Sequence, residues 1–148
     1  MIIGSVGSGK STYSKKLSNE LDIEVYELDS IIHNDKLGIK RTEKEIKKII
    51  NNINKKNDWI IEGTLRKYVY YLLKMADKII VIEPSYRVRK IRIFKRFIKQ
   101  KLKIEKCNYK PTLKMLFNMF KWNKKYEKEK KEFYKLLSKY EKKVEIKK

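Results

Sequence analysis

The sequence predicts an α/β chain: a parallel sheet covered by helices on both faces. Two observations carry that expectation. Short apolar stretches of strand character alternate with stretches whose apolar residues recur every three or four positions. The stretch Lys78-Ile-Ile-Val-Ile82 is apolar almost throughout, as a strand buried on both faces should be. At 148 residues the chain is one domain's worth, so a single domain over 1–148 is expected.

Residues 1–3 read as the end of a short apolar strand. From Lys10 to Leu21, Tyr13, Leu17 and Leu21 mark one helix face at four-residue spacing. Ile23–Leu28 reads as a second strand that ends in Asp29. Thr42-Glu-Lys-Glu45 is a capping box, Thr at the N-cap with Glu three later, and it predicts a helix through Ile46, Ile49, Ile50 and Ile53. Trp59-Ile-Ile61 is a third strand, bounded by Asn57-Asp58 and Gly63; Tyr68–Met75 is helical; Lys78–Ile82 is the fourth strand. A long basic helix follows Pro84-Ser85 to about Lys103. Two further helices are expected over Thr112–Phe120 and Tyr126–Tyr140, then a last short strand over Val144–Ile146. The first strand is short for a central position, which predicts a truncated or late-annotated N-terminus.

Charged residues make up 39% of the chain and hydrophobic ones 41%, the balance of a globular protein with a heavily charged surface. No apolar run approaches the ~18 residues of a membrane span. Glycines and Lys10 interrupt the start within ten residues, so a signal peptide is not expected. One cysteine, Cys107, excludes an intramolecular disulfide, and one histidine, His33, excludes a Cys/His metal cluster. A cytoplasmic protein without a membrane partner is expected. The net charge of +21 is uneven: residues 1–86 hold 15 basic against 12 acidic residues, and residues 87–148 hold 24 against 6. That basic C-terminal part raises nucleic acid as a partner. Lysine with abundant Ile and Asn also reads as plain compositional bias.

The stretch GSVGSGKST carries the chemistry. Gly4, Gly9, Lys10 and Ser11 fit the phosphate-loop pattern G-x-x-x-x-G-K-S/T between a strand and a helix. Gly4, Gly7 and Gly9, with Ser8 between, let successive N–H groups turn inward around an anion. The following helix adds its positive end. Lys10 reaches the β- and γ-phosphates, the Ser11 hydroxyl is placed for Mg²⁺, and Thr12 faces the α-phosphate. The expected ligand is a nucleoside triphosphate.

Around the loop, Trp59-Ile-Ile-Glu-Gly-Thr-Leu-Arg66 brings an acid to a strand end with an arginine beyond it. Glu62 there can orient Mg²⁺ waters, Gly63 admit an acceptor and Arg66 hold an anionic group on it; a solvated acid and a surface arginine are the alternative. Asp29 at the same edge can take a proton from a hydroxyl, ligate Mg²⁺ through water, bind a sugar or base, or cap a turn. Arg89, Arg92 and Arg96 share a helix face that either neutralises a transferring phosphoryl group or is a solvated basic face. Arg41 is a weaker candidate for gripping substrate anion. His33 and Cys107 receive no chemistry.

GSVGSGKST, the strand ending Leu28-Asp29, Trp59-Ile-Ile-Glu-Gly63, Ala76-Asp77-Lys-Ile-Ile-Val-Ile82 and the Arg-rich helix together resemble the adenylate-kinase-related P-loop proteins known as topology modulation proteins. The resemblance runs nearly end to end, through the Trp122 region and the closing Lys-Tyr-Glu-Lys-Lys-Val-Glu-Ile. It implies a three-layer P-loop NTPase fold of nucleoside-monophosphate-kinase type, with a five-stranded parallel sheet in order 2-3-1-4-5. It also implies that Arg66 contacts an acceptor phosphate, since Glu62–Arg66 lines up with the family's Asp-Gly-x-Pro-Arg. Arg92 and Arg96 match the family's arginine pair before the lid. Glu replaces Asp and Leu replaces Pro in the first motif. Beyond Arg96 stand a lysine-rich helix and Asn108–Pro111 rather than lid turn signals.

The reading is an ATP- and Mg²⁺-dependent phosphotransferase acting on a small nucleotide or hydroxyl acceptor. Residues 7–11 with Lys10 hold the triphosphate and Ser11 binds Mg²⁺. Arg92 and Arg96 stabilise the transferring group, while Arg66 and Asp29 position the acceptor. The alternative is a nucleic-acid-associated ATP-binding protein with slow turnover. Glu127, Glu129, Glu132 and Glu141 interleave with the C-terminal lysines and lean against it.

Overall fold

The computed structural model describes residues 1–34, 39–105, 107 and 110–148. Five strands form one parallel sheet: β1 (Ile2–Ile3), β2 (Val25–Glu27), β5 (Ile60–Gly63), β6 (Ile79–Ile82) and β7 (Val144–Lys147). Their order is β2-β5-β1-β6-β7, which is 2-3-1-4-5 when these five strands are counted along the chain. A two-residue antiparallel hairpin, β3 (His33–Asn34) with β4 (Ile39–Lys40), stands apart from that sheet. β1 sits at the centre, paired on one side with β5 (Ile2 opposite Glu62) and on the other with β6 (Ile2 opposite Ile80).

The two-residue period of a strand sorts the side chains onto two faces. Ile2, Ile60, Ile80 and Ile82 pack with Tyr13 and Leu17 of α1 (Lys10–Leu21). Ile3, Ile61, Ile79 and Val81 face the other way. They meet α2 (Leu28–Ile32), α3 (Glu43–Asn54), α4 (Leu72–Met75) and the end of α6 (Leu113–Leu137). Each such isoleucine or leucine, fully buried, contributes ~1.5–3 kcal/mol relative to exposure. α5 (Tyr86–Lys101) packs on α6 through Ile93, Phe97, Leu116 and Met119. Both faces of the sheet are therefore covered.

The α3 capping box is present in both directions: Thr42 accepts from the Glu45 backbone, and Glu45 accepts from the Thr42 backbone. Four expectations are corrected. β2 stops at Glu27, and Leu28-Asp29 begins α2 instead of ending a strand. The hairpin holds His33 in a strand where a loop was expected. Tyr68–Met75 divides into a 3₁₀ turn over Lys67–Val69 and the short α4. The two C-terminal helices are one 25-residue helix, because Lys121–Lys125 contains neither Gly nor Pro to stop it. Of Asn108–Pro111, residues 108 and 109 lie outside the described residues. No helix among the described residues is long and apolar enough to cross a membrane.

Candidate active site

All five strands of the main sheet point the same way, so the loops after β1, β2, β5 and β6 share its carboxyl edge. The loop after the central β1 is the phosphate-loop motif. Gly7 (φ 73°) and Gly9 (φ 96°) take left-handed backbone that side chains rarely adopt. A Cβ on Gly7 would stand 2.8 Å from the Arg89 carbonyl and 2.9 Å from Ile93, so α5 presses directly on the loop. Ser8 and Ser5 are buried, and Ser8 N–H donates to the Ser5 carbonyl at 3.2 Å. Gly9 is the N-cap of α1; no side chain caps it and no acid lies in the first turn, so the helix end keeps its positive character. Thr64 Oγ1 donates to the Gly4 carbonyl at 3.2 Å, fastening the loop to the end of β5. Thr12 is exposed at the edge of this arrangement.

Register delivers the acid. Glu62 lies opposite Ile2 and so faces α1, whose first turn presents Ser11. Ser11 Oγ donates to Glu62 Oε1 at 2.7 Å. Glu62 is only 4% exposed, and its Oε2 is buried without a hydrogen-bond partner. Burial pushes its carboxyl above the usual carboxylate range, against the opposing pull of Ser11 and Lys10. Lys10 Nζ lies back over the loop, 3.4 Å from the Ser5 carbonyl. Burial lowers its ammonium, offset by Glu62 and Asp29 and reinforced by Arg96. A hydroxyl beside an unsatisfied carboxylate oxygen is a hard-oxygen donor set, which suits Mg²⁺.

The remaining candidates divide. Arg92 Nη1 donates to the Ser8 carbonyl at 2.6 Å and so reaches the loop. Arg96 pairs with Glu105 at 2.9 Å on a half-exposed surface, close enough for its charge to act on Lys10. Asp29, in the first turn of α2, accepts from Arg66 Nη2 at 2.8 Å, and Arg66 Nη1 reaches Tyr68 Oη at 3.2 Å. Arg41 turns inward instead: its Nη1 donates to the carbonyls of Ser30, Ile31 and His33, closing the end of α2. Gly63 has a packing reason, since a Cβ there would lie 2.6 Å from Leu28 Cβ. Arg89 leaves the arginine face altogether. It is 1% exposed and bonded to Asn123 Oδ1 (2.7 Å), the Pro84 carbonyl (2.9 Å) and Glu127.

Two acids escaped the sequence reading. Glu27 pairs in register with Glu62, and its charge acts on both Glu62 and Lys10. Glu83, just past β6, is buried beside Arg89 and accepts from Lys130, Tyr126 and Tyr134. Burial raises its carboxyl, but Lys130 and Tyr134 outweigh this and hold it below the usual range. A signal for both existed in the alternation, which leaves an acid at the end of each of these strands.

No protein-family model matches the chain, and no curated protein matches it by sequence. Among solved structures, an unliganded sugar kinase from Janibacter sp. is similar with TM-score 0.45 and 20% identity, over 80% of this chain and 75% of that one. Deoxyadenosine kinase from M. mycoides, solved with bound dATP, is similar with TM-score 0.54 and 16% identity, over 99% of this chain and 88% of that one. This second likeness reaches the fold and does not single out the topology modulation family. The chain shares the α/β fold of that deoxyadenosine kinase, carried on a five-stranded parallel sheet.

Proposed function

We propose that the chain is an ATP- and Mg²⁺-dependent phosphotransferase whose acceptor is an uncharged hydroxyl compound. The observation that carries the reading is the Ser11–Glu62 hydrogen bond at the mouth of the glycine loop, with Lys10 beside it and a buried carboxylate oxygen left over. Backbone N–H groups of residues 7–11 and Lys10 hold the triphosphate. Ser11 and Glu62 would hold magnesium, which supplies neutralisation of charge on the phosphates. Arg92 and Arg96 stabilise the transferring group. The bond from the γ-phosphorus to its bridging oxygen breaks, a bond to the acceptor oxygen forms, and the hydroxyl proton passes to Asp29.

The charge of the acceptor side favours a neutral acceptor. Arg66 is already paired with Asp29, and Arg41 is occupied by three carbonyls. The charges of Glu62, Asp29 and Glu27 all act on Lys10. Among the described residues, a monophosphate there would meet Asp29 and Glu27 and would have to displace Asp29 from Arg66. The test is a comparison of nucleosides, sugars and nucleoside monophosphates as acceptors. Hydroxyl compounds should accept and monophosphates should not, and Asp29→Asn should lower kcat by ~10²–10⁴-fold with little change in the KM for ATP. Preferential use of a monophosphate, with Asp29→Asn unimpaired, would refute the acceptor assignment.

A further inference from the structure

Helix α5 is buried along one face and carries exposed apolar side chains on the opposite one. Its inner face, Arg89, Ile93, Phe97 and Gln100, is buried. Its outer face carries Val88, Ile91, Phe94 and Ile98, all exposed, with Ile91 and Phe94 at 54% and 52%, and Leu102 continues it at 64% just beyond the helix. Positions 88, 91, 98 and 102 recur at helical spacing and form one stripe along the axis. Lys95 lies within that stripe, while Lys90, Lys99 and Lys101 border it. No acidic residue occurs between positions 84 and 104. Monomeric proteins seldom leave an apolar strip of this kind uncovered.

Charge and shape select what covers it. A second copy would set one all-basic helix against another, and like charges face to face oppose that pairing. A nucleic acid satisfies the lysines but leaves the isoleucines and Phe94 against phosphate. A partner that wraps round a basic helix is excluded, because the inner face is occupied by the protein's own core. A lipid surface is flat, anionic at the headgroups and apolar just beneath them, so it meets the whole outer face at once. We propose that the outer face of α5 docks on an anionic lipid bilayer, its lysines among the headgroups and Ile91, Phe94 and Ile98 at the acyl boundary. A chain with no membrane-spanning helix among its described residues can bind a membrane in this way. The inference stands independently of the catalytic reading.

The test is co-sedimentation of the full chain with vesicles of phosphatidylcholine alone, or with about a third phosphatidylglycerol. Pelleting is expected with the anionic vesicles only, and should weaken as salt rises. Phe94→Ser and Ile98→Ser should each lower the partition coefficient about tenfold. Lys95→Gln and Lys99→Gln should each lower it about fivefold. These positions are exposed, so unfolding midpoints should stay unchanged and serve as the folding control. Absence of pelleting with anionic vesicles would overturn the proposal. So would pelleting that survives Phe94→Ser and Ile98→Ser combined. Binding to duplex DNA in preference to vesicles, indifferent to those two substitutions, assigns the face to nucleic acid and overturns it. A dimer that Phe94→Ser dissolves, without vesicle binding, assigns the face to a second copy and overturns it equally.

Discussion

Gly7 and Gly9 both need left-handed backbone, yet their surroundings differ, and so should the cost of filling them. An added Cβ at Gly7 meets backbone and a buried isoleucine, neither of which can move aside. At Gly9 the nearest atom is the end of the Arg92 guanidinium, 3.1 Å away, which can swing out. Gly7→Ala should therefore lose ~2–4 kcal/mol in urea unfolding, from backbone strain and overpacking together. Gly9→Ala should lose only about 1–2 kcal/mol, mostly strain. Equal losses would mean that α5 does not brace the loop. Glu62 makes a second prediction at this scale. Its folded carboxyl is raised above the unfolded one, so the native state binds more protons across the interval between the two values. Stability should then fall as pH rises from about 4.5 through that interval, and level off above it. Glu62→Gln should flatten this limb. The difference between the two proteins' urea midpoints across pH reads the effect, and an unchanged slope would place Glu62 outside the buried site.

At the scale of elements, the joint between α5 and α6 is ionic at its centre. Arg89 is held by Asn123 and Glu127 of α6 and by the Pro84 carbonyl, with Glu83 3.7 Å away. Removing one member of a buried pair strands the others in a low dielectric. Arg89→Leu should lose ~3–5 kcal/mol by chemical denaturation. Lys16→Ala, which breaks an exposed pair with Glu20, should change nothing measurable. Similar values for both would remove the argument that Arg89 is structural. The sequence placed Arg89 beside Arg92 and Arg96 because all three share a helix face, but spacing alone does not say which part of that face is covered by a neighbour. Asn123 and Glu127 decide it from more than thirty residues away. The same limit explains α6, where a polar run resembled a break although it was only the exposed side of a continuing helix. Short elements were hidden for a different reason. Leu28, Ile31 and Ile32 have helical spacing, but five residues beside a strand give too little period to separate the two. What was legible rested on local rules: the glycine loop, the Thr42 capping box and the apolar strand Ile79–Ile82. What was not legible, such as Gly63 meeting Leu28 or Arg41 closing α2, depends on contacts between distant segments.

On the scale of the whole molecule, the sheet order gathers the phosphate loop, Glu62, Glu27 and the start of α2 at one edge, and α5 closes that edge through Arg92. The basic excess is shared between α5, which carries no acid, and α6. On α6, Lys125 pairs with Glu129 at 3.6 Å and Glu127 turns inward to Arg89, so acids interrupt the lysines there. Such a surface does not track a phosphate backbone in the way a continuous basic stripe does. Two whole-molecule readings thus remain separable by the destination of one phosphoryl group. The measurement is to incubate the purified chain with Mg²⁺ and γ-labelled ATP, with and without hydroxyl acceptors, beside Lys10→Ala, and to follow the label. Label should appear on the acceptor, dependent on its presence and abolished in Lys10→Ala. Label released only as inorganic phosphate, unaffected by any acceptor and stimulated by nucleic acid at low salt, would contradict it.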